Sequence, residues 1–177
     1  MTCYVYLGMS IDGYIAGPDG ALDWLEYVPV PEGDDLGFGD FMAGIDAVVM
    51  GRCTFETLLG FDVGWHYGVP GLILSTTLEQ VPEAFADQVQ LASGAPADIV
   101  ALAAEQGFRN LYIDGGDTVR RFLNADLVDE MILSEIPVLL GGGTPLFGAL
   151  AARLDFELVG SEVLAGQILK QHLRRRR

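Results

Sequence analysis

Val48-Val49-Met50-Gly51-Arg52-Cys53-Thr54-Phe55-Glu56 is the stretch from which the fold of this chain is best inferred. The apolar run Ala47–Met50 predicts a short buried strand. Gly51 then permits close backbone approach, and Thr54 can cap a helix that follows. Arg52 is the only lysine or arginine in the first 108 residues. A lone guanidinium beside the free N–H groups of a helix start predicts an anion site, in particular a phosphate site. The alternative is an arginine that packs on the strand end or pairs with a nearby carboxylate.

The composition limits the classes of partner that this chain can bind. Its 177 residues are half apolar and 20% charged, which predicts a single folded domain over residues 1–177. The formal net charge of -15 disfavours nucleic acid and anionic membranes as partners. No apolar stretch reaches membrane-spanning length. The run Arg174–Arg177 is expected to form a solvated basic tail rather than a binding arm.

Cysteine and histidine are too sparse to predict a metal site. Cys3 and Cys53 are 50 positions apart, and His66 and His172 are isolated. We therefore expect no metal, no disulfide framework and a reduced, cytoplasmic setting.

The pattern along the chain predicts an α/β fold. Strands alternate with helices and a strand-rich end follows, which predicts a mixed sheet covered by helices on both faces and closed by an antiparallel hairpin. The predicted strands are Thr2–Met9, Ala47–Met50, Leu72–Leu74, Val89–Leu91, Leu111–Ile113 and Glu130–Val138, with a hairpin of Phe156–Val163 and Gln167–Leu173. The predicted helices are Asp35–Gly44, Thr54–Leu59, Ala97–Gln106 and Thr118–Asn124.

Three predicted strands end in small, polar or cationic residues. These ends are Met50-Gly51-Arg52, Leu74-Ser75-Thr76 and Ile113-Asp114-Gly115-Gly116. Ligands of open α/β sheets collect at the carboxyl ends of the strands. A Gly-Gly pair lets the backbone approach a pyrophosphate, and hydroxyl groups can bind a ribose or its phosphate. Together the three ends predict a dinucleotide site, although no G-x-G-x-x-G fingerprint follows the first strand.

The chain also resembles a known family. Val49–Glu56 looks like the M-G-R-x-T-[WFY]-E segment of the dihydrofolate reductase superfamily, and Tyr112–Gly116 looks like its second cofactor segment. Ser10–Ala16 is similar to its mobile loop. The resemblance is closest to the reductase domain of the bifunctional riboflavin-biosynthesis deaminase/reductase, whose pattern recurs in Leu127–Glu130 and Pro137–Gly143. The zinc motif of the deaminase half is absent.

This resemblance implies a mostly parallel, dihydrofolate-reductase-like sheet, a homodimer and an NADPH site. The nicotinamide is expected to lie against Gly8, Ile15 and Ala16. The residues expected to hold the pyrophosphate and the adenosine phosphate are Gly51, Arg52, Thr54, Ser75, Thr76, Gly115, Gly116, Asp117 and Thr118.

The expected chemistry is hydride transfer from NADPH to a C=N or C=O carbon of a small heterocycle, as in 5-amino-6-(5-phosphoribosylamino)uracil reductase. Asp12 and Asp35 are the candidate catalytic carboxylates. By the resemblance, Asp35 falls at a distance ahead of Met50 comparable to that of the buried carboxylate with which dihydrofolate reductases bind the pterin. Asp12 can instead shape its loop, and Asp35 can instead open an exposed helix. The candidate pocket residues are Trp24, Gly142 and Phe147, with packing as the alternative for Trp24. The alternative functions are a dinucleotide-binding module without turnover and a dihydrofolate reductase.

Overall fold

An eight-stranded sheet forms the centre of the protein. The computed structural model describes residues 1–61 and 63–177. Its strands are β1 Thr2–Ser10, β2 Tyr14–Ala16, β3 Ala47–Gly51, β4 Gly71–Leu74, β5 Val89–Ala92, β6 Asn110–Asp114, β7 Glu130–Ile136, β8 Thr144–Pro145, β9 Asp155–Leu164 and β10 Ile168–Arg176. Its α-helices are α1 Phe38–Met42, α2 Arg52–Gly60, α3 Pro96–Glu105 and α4 Gly116–Asn124, and short 3-10 helices cover Asp23–Glu26 and Glu83–Phe85.

The strand order is β5-β4-β3-β6-β1-β7-β10-β9. The first six strands in this order pair in parallel, and β10 runs antiparallel to both β7 and β9. The predicted mixed, mostly parallel sheet with a C-terminal antiparallel hairpin is therefore confirmed.

Alternate residues of β3 pack on opposite faces of the sheet. Val49 belongs to a core cluster with residues of α3 and α4, whereas Val48 and Met50 belong to a second cluster with Met42 of α1 and Phe55 of α2. A strand covered by helices on both faces needs a continuous apolar run, and this explains why the segment has no polar alternation. The side chains at these strand positions have no solvent exposure.

Two short strands were missed by the sequence prediction. Within Ser10–Ala16, the segment similar to a mobile loop, β2 pairs antiparallel with β8, which lies in the glycine-rich loop after β7. These strands are three and two residues long, too short to produce a periodic pattern. Their pairing joins the two loops beside the end of β1.

Thr54 was wrongly predicted to cap the second helix. The helix α2 begins at Arg52, with Gly51 as its N-cap in an extended conformation, and no side chain caps it. Thr54 therefore lies inside the first turn. Its side chain is directed at Gly115, a contact described below.

The prediction of a solvated basic tail at Arg174–Arg177 was also wrong. β10 extends to Arg176, and the Arg175 side chain, only 10% exposed, pairs with Asp126 at 2.7 Å. This bond lowers the pKa of the Asp126 carboxyl. Arg177 pairs with Asp129 at 2.6 Å. The terminal arginines thus fasten the last strand to the segment before β7.

Replacing Arg175 with alanine is expected to lower the free energy of unfolding by about 1–2 kcal/mol, between the values typical of exposed and buried ion pairs. Arg176→Ala is the matched control, because Arg176 is exposed and the pair with Asp126 is made by the adjacent Arg175. Urea denaturation of both variants measures the difference. Equal losses would show that the Arg175–Asp126 pair adds no stability.

Candidate functional site

Two adjoining cavities open where β3, β4 and β6 end and where α2 and α4 begin. The first has a volume of about 540 Å³ and the second of about 370 Å³. Cys53, Thr54 and Asp117 line both cavities. The two spaces therefore form one elongated cleft along the carboxyl edge of the sheet, as predicted from the three strand ends.

The second cavity is polar and carries two guanidinium groups. Arg52 pairs with Glu56 at 2.9 Å, which is the alternative contact considered from the sequence, yet it still lines this cavity. Arg121 lines it from α4 and donates a hydrogen bond to the Gly94 carbonyl at 2.8 Å. The hydroxyl-bearing residues of the lining are Thr54, Ser75, Thr76, Thr77, Ser93 and Thr118.

Two helix N-termini face the cleft without side-chain caps. Gly51 precedes α2 and Gly115 precedes α4, and at neither start does the N-cap residue have a side chain that accepts from the first turn of the helix. The first N–H groups of such helices have no partner within the helix and attract anions. Because the guanidinium groups of Arg52 and Arg121 lie at the same cleft, the residues present fit a dinucleotide with phosphate groups.

Gly115 is required for the close packing of this cleft. Its φ is +84°, and a Cβ built on it would lie 2.1 Å from the Oγ1 atom of Thr54. Gly116 is similarly tight, since its Cβ would lie 2.9 Å from the Cδ1 atom of Ile15. The glycine pair therefore allows α4, α2 and β2 to meet at one point.

The residues predicted to border a nicotinamide are brought together in the first cavity. Gly8, Ile15 and Ala16 all line it, and Gly115 and Gly116 lie on the same wall. Ser75 and Thr76 lie in the second cavity with Gly51 and Thr118. The structure thus brings all twelve predicted cofactor residues to one cleft.

Asp117 lines the cleft, but its carboxylate is not suited to bind a phosphate. Its side chain is 81% exposed and lies 3.6 Å from Arg120. An exposed carboxylate in the first turn of a helix is favourable to that helix, but it repels a phosphate placed nearby. Arg120 partly offsets this charge.

Asp114 is the functional candidate that the sequence reasoning missed. It ends β6, is 8% exposed and lines the first cavity. The Tyr67 hydroxyl donates a hydrogen bond to its Oδ2 at 3.0 Å, and the Gly115 N–H donates one to its Oδ1 at 2.8 Å. Burial raises the pKa of Asp114, and the two hydrogen bonds oppose this shift only in part.

An aromatic cluster holds Tyr67 against Asp114. Tyr67 contacts the rings of Phe38 and Tyr112 edge-on, with centroid distances of 6.4 and 6.1 Å. The His66 ring stacks on Tyr67 at 4.4 Å. Burial and the neighbouring Asp114 raise the pKa of Tyr67, so its hydroxyl remains a donor. His66 and Tyr67 line the first cavity, whereas Trp65 packs in the core and donates to the Val69 carbonyl.

The two predicted catalytic carboxylates lie elsewhere and have structural roles. Asp12 accepts hydrogen bonds from the Ser10 hydroxyl at 2.6 Å and from the Leu140 and Gly141 N–H groups at 3.1 and 2.7 Å. These bonds lower its pKa, that from Ser10 most strongly. Asp12 therefore joins two loops as an ionised acceptor and is not among the residues that line either cavity.

Asp35 is exposed at the start of α1 and is not the buried carboxylate of a pterin site. It accepts hydrogen bonds from the N–H groups of Gly37 and Gly39 at 2.8 and 2.7 Å. These bonds lower its pKa. The alternative interpretation, an exposed helix start, is the one that the structure supports.

The three predicted pocket residues are also placed outside the lining of the two cavities. Trp24 lies in the 3-10 helix Asp23–Glu26 and is 7% exposed. It packs with Val28, Ile136 and Ile168 in a third core cluster. Phe147 is 40% exposed. Gly142 lies in the loop after β7. Thr144, two positions further along, lines the first cavity, whereas Gly142 does not.

Comparison with known proteins decides the family. The model of the RibD C-terminal domain family matches residues 2–170. The chain belongs to this family. It is 34% identical over 171 residues to YwjB of Bacillus subtilis (strain 168), itself uncharacterized, covering 95% of this chain and 94% of YwjB.

Solved structures of this family and of dihydrofolate reductases share the fold. A protein of Shewanella sp. PV-4, provisionally assigned to riboflavin biosynthesis, has a TM-score of 0.97 and 44% identity, with all of both chains covered. Dihydrofolate reductase of Enterococcus faecalis, in complex with NADP(H), has a TM-score of 0.69 at 18% identity, covering 99% of this chain and 97% of that enzyme. The predicted dihydrofolate-reductase-like fold and the relationship to the RibD reductase domain are thereby confirmed.

The described part of the chain has neither a metal-binding cluster nor a membrane-spanning helix. Residues 1–61 and 63–177 contain no group of three or more histidine, cysteine, aspartate or glutamate side chains arranged to hold a metal ion. Over the same ranges, none of the helices has the length and apolar character needed to cross a membrane.

Proposed function

We propose that this protein is an NADPH-dependent reductase that transfers a hydride to a small heterocyclic acceptor. The observation that carries the proposal is the elongated cleft, in which two uncapped helix starts and two guanidinium groups adjoin a cavity that contains a buried carboxyl group. The RibD C-terminal domain family supports the same chemistry.

The cleft suggests an orientation for the cofactor. The uncapped starts of α2 and α4 would bind the pyrophosphate, and Arg52, Arg121, Ser75 and Thr76 would surround the additional phosphate that distinguishes NADPH from NADH. Gly8 would then lie against the nicotinamide. NADPH supplies the hydride when it is bound. The protein aligns the two rings and excludes water from the first cavity.

Asp114 is the side chain proposed to handle the proton. In its neutral form, Oδ2 can accept from Tyr67 and still donate its own proton into the cavity, while Oδ1 accepts from the Gly115 N–H. Burial favours this neutral form. The carboxyl group is thus suited to protonate the nitrogen or oxygen next to the carbon that receives the hydride.

Fluorescence titrations with NADPH and NADH test the cofactor assignment. Arg52→Ala and Arg121→Ala are each expected to weaken NADPH binding about 10-fold or more, because each removes a charged hydrogen bond worth roughly 1.5–3 kcal/mol. NADH binding should change little. Arg153→Ala is the matched control, since Arg153 is 87% exposed and pairs with Asp155.

Three outcomes would count against the proposal to different degrees. Equal weakening of both dinucleotides would show that the arginines do not contact the additional phosphate. Binding of NADPH without oxidation by any acceptor would support a dinucleotide-binding module without turnover. If the folded protein binds neither dinucleotide, the reductase assignment fails.

We also propose a homodimer. The outer strand β9 exposes Leu158, Val159 and Val163, which are 56%, 43% and 62% exposed. An exposed apolar edge strand favours pairing with a second chain. Light scattering of the purified protein should give twice the chain mass, and Val163→Lys should shift it toward the monomer mass. A monomeric wild type would overturn this proposal.

A further inference from the structure

The first cavity has apolar as well as polar lining residues. The large apolar ones include Leu22, Leu25, Leu58, Phe61 and Val63. Three of them are exposed to solvent in the free protein: Leu25 is 38%, Phe61 is 55% and Val63 is 56% exposed. Large apolar side chains gathered around a cavity mouth favour an apolar surface on the ligand that covers them.

Among the described residues that line this cavity, Arg120 is the one lysine or arginine. Its guanidinium is already engaged. One nitrogen donates to the Pro145 carbonyl, and another lies 3.6 Å from the Asp117 carboxylate. The two aspartates of the lining, Asp114 and Asp117, would face an anionic ligand.

A phosphate bound in this cavity would therefore meet the Asp117 carboxylate and the buried carboxyl group of Asp114 without an uncommitted guanidinium or ammonium group. Transfer of an anion out of water is costly unless it is paired, and phosphate sites in proteins are commonly built from arginine, lysine or helix N–H groups. Here the guanidinium groups of Arg52 and Arg121 lie at the second cavity. The starts of α2 and α4 lie where the two cavities adjoin, and their N–H groups are the ones proposed above to bind the pyrophosphate of the cofactor.

We propose that the hydride acceptor is an uncharged, planar nitrogen heterocycle that carries no phosphate. Its polar edge contacts Asp114 and Tyr67, and its apolar side lies on Leu22, Leu25 and Leu58. This inference rests on the proposed reductase function. It separates this protein from a reductase of a phosphoribosyl substrate, although both share the fold.

Matched ligand pairs that differ only in a phosphate test this inference by binding rather than by turnover. The pairs are riboflavin with flavin mononucleotide, and 5-amino-6-ribosylaminouracil with its 5′-phosphate. Affinities are measured calorimetrically with NADP⁺ saturating, so that no reaction occurs. In at least one pair the phosphate-free member should bind, and it should bind about 10-fold or more tightly than its phosphate, equivalent to roughly 1.4 kcal/mol.

His66 also lines this cavity, and a protonated imidazole would add a positive charge to the lining. The measurements are therefore made at pH 6 and pH 8. The preference for the phosphate-free ligand should hold at both values. Tighter binding of the phosphorylated member at pH 6 would assign His66 as its ligand and overturn the inference.

A positive charge introduced into the lining of the first cavity provides a converse test. Thr57 is exposed on α2 and lines the first cavity. Thr57→Lys should raise the affinity for the phosphorylated member of each pair about 10-fold and leave the phosphate-free member nearly unchanged. Thr57→Gln is the matched control, because it changes size and polarity without adding charge.

Two results would overturn the inference without affecting the proposed cofactor. One is equal or tighter binding of the phosphorylated members to the wild type, and the other is failure of every phosphate-free member to bind. The NADPH titration is independent of both. Loss of NADPH binding would instead remove the proposed function on which the inference rests.

Discussion

Replacing Asp114 with asparagine should lower kcat by a factor of about 10²–10⁴, the range that a positioned acid usually contributes. Asparagine keeps the size of the side chain, and its carbonyl oxygen can still accept from the Gly115 N–H. It cannot release a proton to the acceptor. NADPH affinity should remain within about threefold of the wild type, since the lost interaction is made with the acceptor.

Tyr67→Phe is the companion variant, because it removes the bond to Asp114 Oδ2 but leaves the carboxyl group in place. We expect a smaller loss of kcat and a pH profile that shifts rather than vanishes. Steady-state kinetics with a common acceptor measure both effects. Wild-type kcat in Asp114→Asn would exclude this carboxyl as the proton donor and leave water or the acceptor itself as the source.

The raised pKa of Asp114 also gives a stability effect with a definite sign. Burial has the largest effect on the pKa of Asp114 and raises it. The nearby Tyr67, Tyr112 and His66 lower this pKa in part. The folded state therefore holds its proton at a pH where the unfolded chain has released it. Stability from this source is present below the ordinary aspartate pKa of about 3.9 and is lost as pH rises through the folded value.

Comparing urea denaturation of the wild type and Asp114→Asn between pH 4 and pH 8 tests this sign. The free energy of unfolding of the wild type should fall relative to that of the variant as pH rises. This measurement requires no cofactor or acceptor. A constant difference across the range would mean that Asp114 is ionised in the folded protein at every pH tested.

Much of the sheet could be predicted because parallel strands are buried on both faces. The runs Ala47–Met50 and Leu72–Leu74 have no polar residue, and their positions follow from that alone. The candidate cleft could be predicted because the carboxyl ends of parallel strands share one edge. The predicted residues of these ends lie along one cleft in the structure.

Asp114 could not be assigned in the same way, since the sequence does not show whether a strand-end carboxylate is buried. A signal was present: Asp114 extends the apolar run Leu111–Ile113 and precedes the Gly-Gly turn. Its partner Tyr67 lies 47 positions away, and only the packing of the aromatic cluster brings the two together. Asp12 was a candidate because it lies within the loop segment Ser10–Ala16, and Asp35 because of its distance ahead of Met50, yet both are exposed.

The Arg174–Arg177 run was misjudged because charge composition alone does not show pairing. A run of four arginines is typical of a solvated tail. The neighbouring acids Asp126 and Asp129 are about 50 positions away in sequence, and the pairing of β10 with β7 brings them within reach. Such long-range complementarity becomes visible only with the strand order.

Gly115→Ala should lower the free energy of unfolding by about 2–6 kcal/mol, the sum of two separate costs. Its φ of +84° with ψ of 137° is a conformation that alanine rarely adopts, which costs about 1–3 kcal/mol. The new Cβ would also lie 2.1 Å from Thr54 Oγ1, and relieving such overpacking typically costs another ~1–3 kcal/mol. NADPH binding should weaken in parallel, because the start of α4 must move. Gly60→Ala is the control, since a Cβ there meets no atom within 4 Å.

The two costs can be separated with Thr54→Ala, which removes the Oγ1 atom and leaves the backbone of Gly115 unchanged. In the double variant Thr54→Ala/Gly115→Ala, the overpacking cost should disappear and the backbone cost should remain. The double variant is therefore expected to recover about half of the stability lost in Gly115→Ala, a coupling of roughly 1–3 kcal/mol in a double-mutant cycle. If Gly115→Ala does not fold, folding of the double variant gives the same answer. No coupling would mean that Thr54 is not packed against Gly115 in solution, and the junction of α2 with α4 at the cleft would then have a different geometry.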